Sequence, residues 1–109
     1  MKRHCFALDL IDDPELITEY EKYHEKVWPE ILESIRSSGI TDMQIYRFQN
    51  RLFMIMDTSE HFSFEAKDKA DNSNVKVQEW EKLMWKYQQA LPGSKPGEKW
   101  QPAKLIFQL

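Results

Sequence analysis

The chain has 109 residues, 41% of them hydrophobic and 30% charged, which fits one ordinary domain with a real core. A formal net charge of -3 leaves no basic footprint for nucleic acid, and the single cysteine, Cys5, excludes an internal disulfide. No stretch approaches the roughly 18 consecutive apolar residues of a membrane span. Four Trp, four Tyr and six Phe point to a lined pocket or an extensive interface. Met1–His4 runs directly into a strand-like segment without a signal-peptide core, so the expected location is cytoplasmic.

Residues 3–10 alternate, with His4, Phe6, Leu8 and Leu10 on one side and Cys5, Ala7 and Asp9 on the other. This predicts a strand buried on both faces, with Cys5 acting as a small buried hydrophobe. Asp13 is placed to cap a helix, Pro14 to occupy its first position, and Glu15 to complement its dipole. Leu16, Tyr20, Tyr23, Val27, Ile31, Leu32 and Ile35 recur at three- and four-residue steps. They predict a helix as far as Ser38, kinked at Pro29 and closed by Gly39 in a left-handed conformation.

Met43–Phe48 and Leu52–Asp57 read as a hairpin around Gln49-Asn50-Arg51. Residues 60–70 look weakly helical behind Ser59, and the polar run 71–74 can cap a further helix. That second strong helix is predicted over Val75–Leu91, with Val77, Trp80, Met84, Tyr87 and Leu91 as its stripe and Trp85 off that line. A Pro/Gly-rich loop carries Trp100, and Ala103–Leu109 alternates as a last strand. The order β-α-β-β-α-β predicts one domain, 1–109, with a ferredoxin-like α+β sandwich. Both helices would lie on one sheet face. A second subunit would cover the other, making a homodimer of the dimeric α/β-barrel kind.

Tyr20, His24 and Trp28 stand at i, i+4 and i+8, one row on a helix. The row offers a phenol, an indole and an imidazole, a group that exchanges protons near neutral pH. The plain alternative is a core stripe with a structural histidine. Three glycines and no suitable spacing exclude a phosphate loop. His4, His24 and His61 lie on different elements, so no metal site and no cofactor is expected. Arg51, His61, Lys82 and Lys86 read as solvated surface, Tyr46 as packing, and Glu81 by default as a solvated helix carboxylate. Acid–base chemistry in an aromatic pocket remains.

Tyr20-x3-His24-x3-Trp28-Pro29-Glu30, then Gly39-Ile40, the hairpin near Met43, and Asn74-x-Lys76-Val77-Gln78-Glu79-Trp80 together resemble the L-rhamnose mutarotase family over essentially the whole chain. The resemblance implies a dimeric α/β barrel that interconverts the anomers of a deoxyhexose without a cofactor. It implies His24 as proton donor, Tyr20 as a substrate-contacting tyrosine, and Trp80 as the first of two substrate-contacting tryptophans. By its own chemistry Tyr20, one turn from His24, is a second catalytic candidate that would orient the imidazole or a sugar hydroxyl, and Trp28 reads equally as pocket wall or packing support. The chain departs from the family where the second tryptophan is Glu81 and a substrate-contacting tyrosine is Met43. Those exchanges place L-fucose beside L-rhamnose as the candidate sugar. Two other readings stay open: a haem-degrading or quinol monooxygenase on the same fold, and a non-enzymatic ligand-binding module. An RNA-recognition domain is disfavoured by the net charge and by the absence of a Gly-aromatic pattern in Leu52–Asp57.

Overall fold

Strand β1 (Lys2–Leu10) runs through the middle of the sheet, and a computed structural model describes all residues, 1–109, around it. After it come helices α1 (Pro14–Glu25) and α2 (Pro29–Ser37), strands β2 (Ile40–Phe48) and β3 (Arg51–Thr58), helices α3 (Phe64–Asn72) and α4 (Val75–Trp85), and the two-residue strands β4 (Gln88–Gln89) and β5 (Gln101–Pro102). The sheet order is β2-β3-β1-β4, with β5 also on β1, and every pairing is antiparallel. This is the ferredoxin-like α+β arrangement, the fold type of the dimeric α/β barrels.

Local chemistry explains most boundaries. The Asp13 carboxylate accepts the backbone N–H groups of Glu15 and Leu16 at 2.9 and 3.2 Å, with Pro14 opening α1. Gln49 (φ 53°) and Asn50 turn the β2–β3 hairpin, and Gly39 takes φ 102° before β2. Asn74 accepts from Lys76 and Val77 at the start of α4. Ser63, rather than Ser59, caps α3.

Three element boundaries differ from those expected. The helix predicted to reach Ser38 breaks over residues 26–28. A residue before proline is pushed out of the α region, and Trp28 accordingly sits at φ -56°, ψ 135°. Trp28 instead becomes the N-cap of α2, its carbonyl accepting from Ile31 at 2.9 Å and Leu32 at 3.2 Å. Next, α4 stops at Trp85. The Tyr87 carbonyl accepts the Ile11 N–H at 2.8 Å, and the chain is drawn onto β1 as β4. Last, the predicted strand Ala103–Leu109 is not formed. Ala103 donates to Cys5 O at 2.8 Å, and beyond it Leu105, Ile106, Phe107 and Leu109 are exposed with no pairing.

The core lies between the sheet and the helices, around Leu10, Tyr20, Leu52, Met84 and Tyr87, with Leu8 beside them. Burying a leucine as fully as Leu8 or Leu10 contributes about 1.5–3 kcal/mol relative to exposure. The outer sheet face is uncovered in the single chain. Cys5, expected to be buried, and Tyr46, expected to pack, alternate onto it and are exposed, as are Phe48 and Phe53. Two cross-strand ion pairs also mark β1 and β3: Arg3 donates to Asp57 at 2.8 and 3.0 Å, and Arg51 to Asp9 at 2.8 and 3.3 Å. Arg51 is thus paired rather than free in water. The bond from Arg3, reinforced by its charge, holds the Asp57 carboxyl below its ordinary range.

Candidate active site

The last turn of α1 sets the geometry. His24 Nδ1 lies 2.8 Å from the carbonyl oxygen of Tyr20, one turn back along the helix. A carbonyl can only accept, so Nδ1 carries the hydrogen. In the neutral ring Nε2 then holds a lone pair, and in the protonated ring it is the donor that remains. The anchor is main chain, so it does not depend on which side chain occupies position 20.

Aromatic faces hold the imidazole. The Tyr20 ring centroid is 4.5 Å from it and that of Trp80 is 5.8 Å, the latter edge-on. Trp28 packs edge-on against Trp80 at 5.0 Å. With the helix broken before it, Trp28 stands behind Trp80 as a backing ring and not among the side chains lining the cleft.

Tyr20 is only 3% exposed, and its hydroxyl accepts from Gln88 Nε2 at 3.2 Å. Burial pushes the phenol above its ordinary pKa, with the bond from Gln88 acting in the opposite direction. The neutral phenol therefore keeps its own O–H to donate. Gln88 lies in β4, 6% exposed, and its Oε1 has no partner.

Tyr20, His24, Met43, Trp80 and Glu81 line one open cleft of about 800 Å³ between sheet and helices, so five of the sequence-selected residues converge. Met54, Met56 and Met84 give it a soft apolar floor. Glu81 is ion-paired with Lys99 at 2.9 Å. Lys99, Trp100 and Gln88 also line the cleft and were not selected from the sequence. The sequence marks Trp100 as an indole in a Pro/Gly-rich loop, expected to fold back on a surface or meet a partner subunit, and it folds back onto the cleft. Gln88 fell inside a stretch read as helix, and Lys99 carried no distinguishing signal. His61 is exposed, as expected.

Fold and side chains together define an open cleft, walled by aromatic rings and carrying a histidine and a tyrosine, on the helix-covered side of a ferredoxin-like α/β sheet. The profile described as L-rhamnose mutarotase matches residues 3–109. An L-fucose mutarotase of Xanthomonas campestris pv. campestris is 46% identical over 111 aligned positions, covering 100% of this chain and 89% of that protein. Among solved structures, an L-rhamnose mutarotase from Formosa agariphila superposes with a TM-score of 0.73 at 21% identity, covering 100% of this chain and 99% of the other. The tetracenomycin F2 cyclase of Streptomyces glaucescens shares the fold, with a TM-score of 0.62 at 14% identity over 100% of this chain and 97% of the other. The chain belongs to the L-rhamnose mutarotase family. Mutarotases are isomerases that exchange the anomers of a sugar, and this membership displaces the monooxygenase and binding-module readings.

Proposed function

We propose that this chain interconverts the α and β anomers of a 6-deoxyhexose pyranose, with L-fucose preferred over L-rhamnose and His24 as the proton donor. The observation that carries the reading is the His24 imidazole, fixed in one tautomer by the Tyr20 carbonyl and flanked by Tyr20 and Trp80 in an open cleft. Preference for L-fucose is supported by full-length similarity to the Xanthomonas protein.

Mutarotation asks little else of a site. His24 Nε2–H gives its proton to the ring oxygen as the bond from that oxygen to the anomeric carbon breaks. The anomeric hydroxyl loses its proton to water entering the open cleft and becomes the aldehyde carbonyl. Rotation about the bond between the first two carbons presents the other carbonyl face. His24, now neutral, takes the proton back as the ring closes, and the carbonyl oxygen regains its proton from water to become the anomeric hydroxyl of the other configuration. The Tyr20 O–H orients a sugar oxygen, and Trp80 stacks on the C–H face of the ring, with Trp28 behind it and Met43 opposite as an adaptable contact. Such acid–base assistance is worth about 10²–10⁴-fold. Exchange between the anomeric protons of L-fucose, measured by saturation-transfer NMR with and without protein, tests the proposal. Acceleration supports it, and an unchanged rate with both sugars refutes it.

The functional unit we propose is a homodimer working in the cytoplasm. Tyr46, Phe48 and Phe53 on the bare sheet face and the apolar tail beyond Ala103 support a second copy as their cover. The exposed free thiol of Cys5 suits a reducing compartment. Light scattering should give twice the 13.1 kDa chain mass at micromolar concentration, and a monomer would refute the dimer.

A further inference from the structure

The Pro/Gly-rich segment between β4 and β5 ends by folding back on α4. Lys99 Nζ donates to Glu81 Oε2 at 2.9 Å and to the Glu81 carbonyl oxygen at 3.2 Å, and it lies 4.8 Å from the centre of the Trp85 ring. All three partners come from α4. The Lys99 side chain is 15% exposed, whereas that of Glu81 is 46% exposed. An ammonium so far from water is stable only if its donors are matched, so this is a fixed clamp and not a passing surface pair. It removes one carboxylate oxygen from use. The other, Glu81 Oε1, makes no hydrogen bond within the chain. Glu81 comes directly after Trp80, whose ring adjoins the imidazole, and both line the cleft.

We propose that Lys99 is a specificity-determining residue: it holds the Glu81 carboxylate at the cleft so that Oε1 reads the configuration of a sugar hydroxyl. This inference rests on the deoxyhexose reading above. L-Fucose and L-rhamnose have the same atoms and differ only in the direction of the hydroxyls at the second and fourth carbons. Rings and thioethers such as Trp80, Trp100, Met54 and Met84 respond to shape and C–H surface, and distinguish these two sugars poorly. A charged acceptor fixed in direction distinguishes them well, because a hydroxyl turned the wrong way leaves it unpaired. The pairing with Lys99 also neutralises the carboxylate, so the cleft gains an acceptor without gaining net charge. Lys99 acts through Glu81 and is a positioning residue, and Glu81 is the group that touches the sugar.

The test is the ratio of enzyme-accelerated anomer exchange for L-fucose and L-rhamnose, measured by NMR on the full chain. Wild type is compared with Lys99→Met, Lys99→Arg and Glu81→Gln, with circular dichroism confirming that each is folded. Lys99→Met and Glu81→Gln should shift the ratio by about tenfold, mainly through KM, because a hydrogen bond to a charged group is lost while His24 is untouched. Lys99→Arg should restore most of the wild-type ratio. Should Lys99→Met fail to fold, Glu81→Gln still decides, as it leaves the shape of the clamp intact. Equal slowing of both sugars, or an unchanged ratio, overturns the assignment and leaves the mutarotase reading standing. Wild-type protein that accelerates neither sugar overturns both.

Discussion

Removing one oxygen from Tyr20 separates what that residue does for the fold from what it does for the reaction. In Tyr20→Phe, Gln88 Nε2 loses its acceptor at 3.2 Å while the Gln88 Oε1 is already unpartnered, so a 6%-exposed amide is left with no bond at either end. Leaving a buried donor unsatisfied costs about 1–3 kcal/mol. For a domain of this size that is a fall in Tm of about 5–15 °C. The His24 anchor survives, because it is the carbonyl of residue 20 and not its side chain. Anomer exchange should therefore slow about tenfold, well short of the 10²–10⁴-fold attached to the proton-transferring group itself. Calorimetry and saturation-transfer NMR on the same sample check both numbers. A Tyr20→Phe protein as inactive as His24→Ala would refute the reasoning, since the phenol would then be moving the proton. An unchanged Tm would show that the bond to Gln88 contributes nothing.

Three further outcomes concern stability. Burial raises the folded pKa of Tyr20, so its stabilisation is complete below the unfolded value near 10 and is lost as pH rises through the folded value. Urea titrations should show wild type losing more stability than Tyr20→Phe above about pH 10. Asp57 has the opposite sign. Its folded pKa is lowered by Arg3, so its contribution is present above the unfolded value near 3.9 and disappears as pH falls through the folded one. Acid titration of Asp57→Asn should show a shallower loss than wild type. At Gly39, with φ 102°, an added Cβ would lie 2.9 Å from Ser59 Oγ, so Gly39→Ala should cost about 1–3 kcal/mol in a denaturant melt.

Features with local causes were legible in the sequence. Asp13-Pro14, Asn74 and the Gln49-Asn50 turn mark boundaries by their own hydrogen bonds and backbone preferences, and the structure places them there. The break at residues 26–28 was legible in principle: Pro29 constrains Trp28, and the helical stripe running through it concealed the stop. The features that were not legible depend on pairing between distant residues. Nothing local in Gln88-Gln89 says strand, and β1 recruits it. The tail beyond Ala103 has strand-like alternation but no strand in this chain to pair with. The site divides in the same way. A helical row exposed Tyr20 and His24, whereas Lys99, Trp100 and Gln88 enter the cleft only because a loop and a short strand fold back on it. Trp28 lay on the row and was displaced from the lining by the break.

The central claim is that His24 moves the proton, and the most direct measurement is saturation-transfer NMR on L-fucose with wild type and His24→Ala at matched concentration. The helical circular dichroism of both proteins is recorded alongside. The account predicts accelerated exchange by wild type and a rate at least about 10²-fold lower for a His24→Ala protein whose spectrum is unchanged. A folded His24→Ala protein that exchanges the anomers as fast as wild type would contradict it.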